Sequence, residues 1–191
     1  MAPGSPGPPG EPVARVVYTV GHSTRSAEEL LSLLGSAEVG VVADVRRFPG
    51  SRRHPQFRKE ALKEWLPGAG IEYVHLSSLG GRRVPVQGSM NGGWREPAFQ
   101  GYADHMGSDD FAVGFRELVR LAGLARVAVM CAEALWWRCH RRLIADALTV
   151  GGWRVEHLGV GGEPAVHELP SFAVADAGRV SYPAPQGRLV E

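Results

Sequence analysis

Short apolar runs alternate along the chain with segments in which apolar residues recur at helical spacing. The runs predict strands at 13–20, 39–45, 71–76, 126–131 and 153–158. The segments between them predict helices from Ser26 to Gly35 and at 59–66, 101–106, 110–122 and 139–150. Because strands that alternate with helices usually pair in parallel, the pattern predicts a single-domain, three-layer Rossmann-like α/β fold with a mostly parallel sheet.

The first helix has the clearest boundaries. Ser26 is placed to cap its N-terminus, Glu28 and Glu29 occupy the first turn, and Gly35 is expected to end it. A serine at this position accepts a backbone N–H that the helix leaves unpaired, and acidic residues favour the positive end of the helix dipole.

Three segments have no such periodicity. Residues 1–12 are rich in proline and glycine and have too little apolar content to pack, so we expect a disordered tail there. A single α/β domain at 13–183 is expected to follow, with a second tail at 184–191. Residues 77–98 form a long, glycine-rich connection. Such a connection is typically functional or mobile, and its glycines would permit a lid.

The composition of the chain argues against several classes of protein. Hydrophobic residues make up 44% of the chain and charged residues 21%, with a formal net charge of +1. This balance gives no overall attraction to nucleic acid or to a membrane surface. The two cysteines are too few for the disulfide framework of a small secreted domain. No apolar stretch is long enough to span a bilayer, and the start lacks the features of a signal peptide. We therefore expect a cytoplasmic protein without a membrane partner.

Reactive side chains follow three of the predicted strands. The first strand is followed by His22, Ser23 and Thr24, the second by Asp44 and Arg46, and the fourth by Cys131 and Glu133. In an open parallel sheet, ligands bind in the crevice beyond the carboxyl ends of the strands. The sequence therefore predicts that these side chains share one site.

The segment 131–141 is the densest group of reactive residues. Cys139 and His140 are expected at the start of a helix, where free N–H groups and the helix dipole stabilise an anion and can lower the pKa of a thiol. We interpret one cysteine as a nucleophile, a histidine as its base and Glu133 as an orienting residue. The candidate catalytic set is Cys131, Glu133, Cys139, His140, His22 and Asp44. The alternative is that both cysteines are small hydrophobic core residues.

Two other chemistries would use the same residues. Both cysteines with His140 and His22 could form a tetrahedral zinc site. However, the cysteines lack tight C-x-x-C spacing and the adjacent Cys139 and His140 make awkward ligands, so no metal is predicted. Glu133 and Asp44 could instead divide the acid and base roles that an N-glycosidase requires. For Asp44, the alternative is a simple pairing with a nearby arginine.

An arginine-rich loop at 46–54 follows the second strand. Its arginines could hold phosphate groups, and nearby aromatic residues could stack a nucleobase. The candidate substrate-binding residues are Ser23, Thr24, Arg46, Ser51, Arg52, Arg53 and Arg141, and the candidate stacking residues are Phe57, Trp94, Trp136 and Trp137. The ordinary alternative is a solvated loop. Neither a Walker A motif nor G-x-G-x-x-G is present, so the cofactor stays unknown.

Several stretches of the chain resemble an uncharacterised family. They are TVGHSTRSAEELLSLL (19–34), VVADVRRFPGSRRHPQF (41–57), GIEYVHLSSLGGRR (70–83), FQGYADHM (99–106), VMCAEALWWRCHRRLIADAL (129–148), VHELPSFA (166–173) and VSYP (180–183). On these motifs the chain resembles the bacterial family called domain of unknown function 488. The resemblance implies a compact α/β fold and a site at His22, Asp44, Arg46, Cys131, Glu133, Cys139, His140 and Arg141. It implies no activity, because none is established for the family.

These observations lead to one main hypothesis and one alternative. We expect an intracellular enzyme, a hydrolase or transferase, that acts on a phosphorylated or nucleic-acid-derived substrate with Cys/Glu/His chemistry. The alternative is a non-catalytic module that binds nucleic acid or metal. The remaining histidines are interpreted as surface or core residues: His54, His75, His105, His157 and His167.

Overall fold

The computed structural model describes residues 15–185 of the chain. The predicted tail at 1–12, the first two residues of the predicted first strand and most of the predicted tail at 184–191 lie outside this range. Within it, the strands are β1 Val16–Gly21, β2 Val41–Asp44, β3 Glu72–His75, β4 Val127–Cys131, β5 Arg154–His157, β6 Ala165–Val166, β7 Val174–Asp176 and β8 Arg179–Ser181. The helices are α1 Ala27–Ser36, α2 Lys59–Gly68, α3 Pro97–Met106, α4 Asp109–Ala122 and α5 Arg141–Val150.

Strands β1 to β6 form one sheet in the order β3-β2-β4-β1-β5-β6. The strands β3, β2, β4, β1 and β5 pair in parallel, and the short β6 runs antiparallel to β5. The mostly parallel sheet predicted from the sequence is thus confirmed. Because β4 lies between β1 and β2, the three strands that precede the candidate residues are direct neighbours.

Helices cover both faces of this sheet, as predicted. On one face, leucines of α1 and α2 pack against Val20, Val42 and Met130. On the other face, side chains of α3, α4 and α5 pack against Val17 and Val129. Consecutive strand residues point to opposite faces, so β1 contributes to both layers. The sheet and its two helical layers form the predicted three-layer, Rossmann-like α/β arrangement.

Helix α1 has the predicted N-terminus but a different end. The Oγ of Ser26 accepts the N–H of Glu29 (3.2 Å), and the carboxylate of Glu29 accepts the N–H of Ser26 (2.6 Å). This reciprocal cap satisfies two N–H groups that would otherwise be unpaired. The helix continues through Gly35 to Ser36, because Gly35 keeps helical geometry and does not make the left-handed turn that glycine often supplies at a helix end.

Two later helices begin elsewhere than predicted. Helix α3 starts at Pro97, whose fixed φ suits the first helical position. Helix α5 starts at Arg141, because Cys139 is extended (φ −124°, ψ 147°) after a short 3₁₀ turn at 136–138. Across residues 15–185, no helix combines the length and the apolar content needed to cross a membrane.

Strands β7 and β8 form a hairpin that the sequence did not predict. Most of their residues are exposed, so they lack the alternation of apolar and polar residues that reveals a half-buried strand. Ala177 and Gly178 form the turn, with φ of 45° and 75°. Positive φ at both positions is what a two-residue hairpin turn requires.

The connection at 77–98 is attached to the helix that follows it. The carboxylate of Asp104 accepts hydrogen bonds from the N–H of Val86 (3.0 Å), the hydroxyl of Ser89 (2.5 Å) and the amide of Asn91 (2.9 Å). Trp94 is buried against the α3–α5 layer. These attachments favour a fixed connection over a moving lid.

Candidate functional site

The ends of β1 and β4 continue to pair beyond the strands themselves. Their register sets Gly21 opposite Cys131. The N–H of His22 then donates to the carbonyl oxygen of Cys131 (3.0 Å), and the N–H of Ser23 donates to that of Ala132 (3.0 Å). The candidate residues that follow β1 and β4 therefore lie together at the carboxyl-terminal ends of these two parallel strands.

Cys131 and Cys139 lie side by side at this edge, and both are buried. Their Sγ atoms are 2.7 Å apart, and the two thiols are free. The Sγ of Cys131 also accepts a hydrogen bond from a guanidinium N–H of Arg141 (2.7 Å). The Sγ of Cys139 lies 3.5 Å from the Nδ1 of His140. One thiol therefore contacts a cation and the other contacts a histidine.

Arg141 is a buried cation that has no carboxylate partner within residues 15–185. It is 1% exposed, and it donates to the carbonyl oxygens of Glu133 (2.5 Å) and Ala134 (2.7 Å) as well as to Cys131. Among residues 15–185, no carboxylate oxygen lies within 4.0 Å of its nitrogens. Buried charges are stable when they are paired. A thiolate at Cys131 would supply the missing negative charge.

The contacts of the two thiols shift their pKa values in opposite directions. Burial raises the pKa of Cys131, but the hydrogen bond from Cys139 and the charge of Arg141 outweigh burial, and the pKa falls to about 7. Burial raises the pKa of Cys139, and the adjacent Cys131 raises it further. Cys131 is therefore the thiol of the pair that ionises first, and Cys139 keeps its proton near neutral pH.

The Nδ1 of His140 faces the Sγ of Cys139 (3.5 Å). Its Nε2 lies 3.1 Å from the carbonyl oxygen of Val45, so the neutral ring carries its hydrogen on Nε2 and has a free lone pair on Nδ1. Burial lowers the pKa of His140 to about 4, so the ring is neutral near pH 7. A β-carbon at position 81 would lie 2.7 Å from this Nδ1. Gly81 thus leaves the nitrogen uncrowded.

A second group of predicted residues forms a closed network. Arg46 donates through Nε and NH2 to the two carboxylate oxygens of Asp44 (2.8 and 2.6 Å), and Tyr73 donates its hydroxyl to the same carboxylate (2.7 Å). Arg46 also donates to the Nε2 of His22 (3.1 Å), whose pKa is lowered to about 4 by burial and by the charge of Arg46. Asp44 is fully buried. The simple pairing of Asp44 with an arginine is therefore present, and the network braces the ends of β1 and β2.

A cavity of about 530 Å³ opens beside the two thiols. Its buried lining includes Cys131 and Cys139 with the half-buried His140, which form its base, and the exposed lining residues at its mouth are Glu133, Arg47, Phe48, Arg82 and Arg138. Phe48 is 68% exposed, and the guanidinium carbons of Arg47 and Arg82 lie 5.6 and 6.0 Å from the centre of its ring. The cavity thus combines thiols at its base with positive charge and an exposed aromatic ring at its mouth.

Several predicted residues do not line this cavity. They are His22, Ser23, Thr24, Asp44, Ser51, Arg52, Arg53 and Arg141. Ser51 instead accepts the N–H of His54 (3.0 Å) within its own loop. Of the predicted stacking residues, Phe57 is fully buried, Trp94 is 8% exposed and Trp136 stacks on His157. Phe57 and Trp94 are therefore not available to a nucleobase, and one face of Trp136 is covered by His157.

Phe48 and Gly81 were not predicted as site residues. A signal for Phe48 exists in the sequence, because it is the aromatic residue within an arginine-rich loop. Aromatic rings flanked by arginines are typical of surfaces that stack a planar anion. Gly81 has no comparable signal, because its role depends on the approach of His140 from a distant part of the chain.

A buried polar network beneath the site was also not predicted. Thr19 bonds to His157 (2.6 Å), His157 to His167 (3.0 Å), His167 to Asp146 (2.7 Å) and Asp146 to the hydroxyl of Tyr182 (2.6 Å). All five side chains are at least 95% buried. His157 and His167 are core residues, as interpreted from the sequence. The network joins β1 to the segments that follow α5.

Within residues 15–185, no group of three or more histidine, cysteine, aspartate or glutamate side chains is arranged to hold a metal ion. His22 lies on Phe57 and Arg46 rather than on the thiols. The ligand set considered for zinc is thus not assembled. The arrangement that is present can hold a thiolate and an anionic ligand.

Comparison with known proteins identifies one family. Its model is described as domain of unknown function DUF488 and matches residues 26–148, which is more than half of the chain. No curated protein and no solved structure matches the chain. The matched segment contains both cysteines, Glu133, His140 and Arg141. The chain therefore belongs to the DUF488 family.

Proposed function

We propose that this protein is an enzyme that uses the thiolate of Cys131 as a nucleophile on a phosphorylated or nucleic-acid-derived substrate. The supporting observation is the contact between Arg141 and the Sγ of Cys131 at 2.7 Å. Because Arg141 is buried and lacks a carboxylate partner in the described part of the chain, the contact favours the thiolate form of Cys131. A thiolate is the reactive form of cysteine.

The substrate class is supported by the mouth of the cavity. Arg47, Arg82 and Arg138 lie there without a carboxylate within 4.0 Å among residues 15–185. Free guanidinium groups bind phosphate in a bidentate manner. The exposed ring of Phe48 offers a flat apolar surface beside them, on which a nucleobase can stack.

The roles of the other residues follow from their positions. The Sγ of Cys131 forms a bond to an electrophilic phosphorus or carbon atom, and the leaving group departs with the electrons of the broken bond. Cys139 holds a proton that it can give to the leaving group, and His140 is the neutral base beside it. Glu133 is exposed at the cavity and can activate the acceptor that releases the covalent intermediate. Water as acceptor makes the enzyme a hydrolase, and another nucleophile makes it a transferase.

The N-glycosidase alternative has weaker support. It requires Asp44 to reach the substrate or a water molecule. Instead, the carboxylate of Asp44 is fully buried and accepts hydrogen bonds from Arg46 and Tyr73. We also propose a cytoplasmic location, because two adjacent free thiols persist in a reducing compartment.

The test combines thiol reactivity with turnover. We would measure the alkylation rates of Cys131 and Cys139 against pH by mass spectrometry, and screen phosphorylated metabolites, nucleotides and oligonucleotides for turnover. We expect Cys131 to react as a thiolate from about pH 7, and Cys131→Ser to abolish the activity found. Arg154→Ala, which breaks an exposed ion pair with Glu156, serves as a matched control and should keep it.

Two results would overturn the proposal. Full turnover by Cys131→Ser would exclude the thiol as nucleophile. Slow alkylation of Cys131 below pH 8, together with salt-dependent binding of oligonucleotides that no variant converts to product, would identify a binding module instead.

A further inference from the structure

The two thiols of the site lie close enough to form a disulfide bond after a small shift. Their Sγ atoms are 2.7 Å apart, whereas a disulfide bond is about 2.05 Å long, so a shift of roughly 0.7 Å would join them. Both thiols line the same cavity. A cysteine that serves only as a proton donor could be replaced by many other residues, but a second sulfur at this distance can form a covalent bond with the first.

We propose that Cys131 and Cys139 are a redox dithiol that reduces small anionic disulfides, with Cys131 as the attacking thiolate and Cys139 as the resolving thiol. The inference rests on the proposed function only in that Cys131 is the nucleophile. It adds the chemical class of a substrate and a covalent role for Cys139.

The reaction balances with the residues present and one disulfide. The Sγ of Cys131 attacks one sulfur of R–S–S–R, forms a mixed disulfide with that sulfur and releases RS⁻. Cys139 then gives its proton to the released RS⁻, which leaves as RSH, and attacks the Sγ of Cys131. This step forms the Cys131–Cys139 disulfide and releases the second RS⁻. Two electrons pass to the substrate, and a thiol reductant restores the dithiol.

The order of attack follows from the neighbours of each sulfur. Cys131 contacts Arg141 (2.7 Å), and a guanidinium stabilises a thiolate, so Cys131 is ready to attack. Cys139 contacts the neutral His140 (3.5 Å) and the sulfur of Cys131, so it keeps its proton while Cys131 carries the negative charge. Once Cys131 is bound in the mixed disulfide, that charge is gone and Cys139 can ionise and attack.

The preference for an anionic disulfide follows from the charge at the entrance. Arg47, Arg82 and Arg138 lie at the mouth of the cavity, and Glu133 is the acidic residue in its lining. A disulfide with carboxylate or phosphate groups is attracted to this entrance, and a disulfide with ammonium groups is repelled.

The experiment uses the full-length reduced protein and two disulfides of similar size and opposite charge. They are 3,3′-dithiodipropionate, which is anionic, and cystamine, which is cationic. Intact-mass spectrometry follows wild type, Cys139→Ser and Cys131→Ser, with Cys139→Ala as a second resolving-cysteine variant and circular dichroism as a check on folding. Arg82→Ala tests the contribution of the entrance.

We expect wild type to lose its two thiol hydrogens without a stable adduct. Cys139→Ser and Cys139→Ala should retain one mixed disulfide on Cys131, and Cys131→Ser should react at least about tenfold more slowly. The anionic disulfide should react about tenfold faster than cystamine at low salt, and Arg82→Ala should reduce this ratio.

A stable mixed disulfide on wild type, or equal reaction of Cys139 in Cys131→Ser, would overturn the redox dithiol. Equal rates for the two reagents would overturn the anionic preference. These failures are distinguishable from failure of the proposed function. If Cys131 alkylates rapidly near pH 7 and no intramolecular disulfide forms, the nucleophile stands and the dithiol falls. If Cys131 alkylates only as an ordinary thiol, the proposed nucleophile falls as well.

Discussion

The carbonyl oxygen of Glu133 occupies the position that a β-carbon on Gly21 would take. The guanidinium of Arg141 lies next to the same position, 2.8 Å from it. Strand β1 must therefore end in glycine, because the segment after Cys131 crosses directly over it. This contact positions the backbone carbonyls that accept hydrogen bonds from Arg141, and Arg141 in turn contacts the Sγ of Cys131.

We expect Gly21→Ala to disrupt the site and to lower the free energy of unfolding by about 2 kcal/mol or more, because the added methyl group overlaps backbone. Urea denaturation measures the stability, and alkylation of Cys131 reports on the site. Gly35→Ala is the matched control. Its β-carbon would have nothing within 4 Å, so alanine in helix α1 should be neutral or stabilise by up to about 1 kcal/mol. Equal effects of the two substitutions would contradict the role of Gly21.

Removal of the charge at Arg141 should raise the pKa of Cys131. Arg141→Gln keeps hydrogen-bond donors and removes the charge, so the midpoint of the alkylation profile should move from near pH 7 toward the value of a free thiol, about 8.5. Arg141→Lys keeps the charge and should shift the midpoint less. Identical midpoints for the glutamine and lysine variants would show that the charge does not stabilise the thiolate.

Asp44→Asn should cost stability rather than catalytic chemistry. The substitution leaves the guanidinium of Arg46 buried without a carboxylate, a loss of about 3–5 kcal/mol in comparable pairs. Asp110→Asn is the control, since its contact with Arg83 (3.6 Å) is exposed and contributes little, within about 1 kcal/mol. Thermal and urea denaturation would compare them. A folded, fully stable Asp44→Asn protein that has lost activity would favour the N-glycosidase alternative instead.

The folded protein should lose stability as the pH falls below about 6.5. Burial lowers the pKa of His22 and of His140 to about 4 and that of His157 to about 3, whereas the unfolded chain has ordinary histidines of pKa about 6.5. Between these values the unfolded state binds more protons, so protonation favours unfolding. Each histidine contributes up to about 1.4 kcal/mol per pH unit.

Urea titrations between pH 7 and 5 would measure this slope, in a range where most carboxylates stay ionised. His140→Asn should have a shallower slope than wild type, whatever its stability at pH 7. A stability that stays constant from pH 7 to pH 5 would contradict burial of neutral histidines.

Tyr182→Phe should destabilise the fold by about 1–3 kcal/mol, because it removes a buried hydrogen bond to Asp146 (2.6 Å). Tyr18→Phe is the control, since Tyr18 is only partly buried, on the other face of β1. Denaturation at pH 7 compares them. The result also tests whether the chain after residue 148, beyond the part matched by the family, contributes to the stability of the core. Equal stability of both variants would argue against that contribution.

The order of strands and helices could be predicted because it depends on local patterns. The apolar run of β4 and the cap at Ser26 each lie within a few residues, and both appear in the structure. The hairpin of β7 and β8 could not be predicted in this way. Its strands are mostly exposed, so burial leaves no alternating pattern in the sequence.

The sequence could place the candidate residues at neighbouring strand ends, but it could not say which of them line the cavity. Arg46 and Arg47 are adjacent, yet Arg46 is bound to Asp44 and Arg47 reaches the mouth of the cavity. Only the fold decides which of two neighbouring arginines faces a carboxylate. Likewise, Thr19 and His157 are 138 positions apart, and no local pattern indicates that they bond.

The position of β4 in the sheet also determines the stage of chain synthesis at which the site can form. A chain leaving the ribosome makes β1 and β2 early, but these strands are not neighbours, and the gap between them is filled only by β4 at Val127–Cys131. Such non-local pairing must wait for the later segment. Cys131 therefore arrives with the strand that joins β1 to β2, and Arg141 follows at the start of α5. A chain that has not yet reached β4 contains neither cysteine, so the proposed dithiol cannot react before the central strands of the sheet can pair.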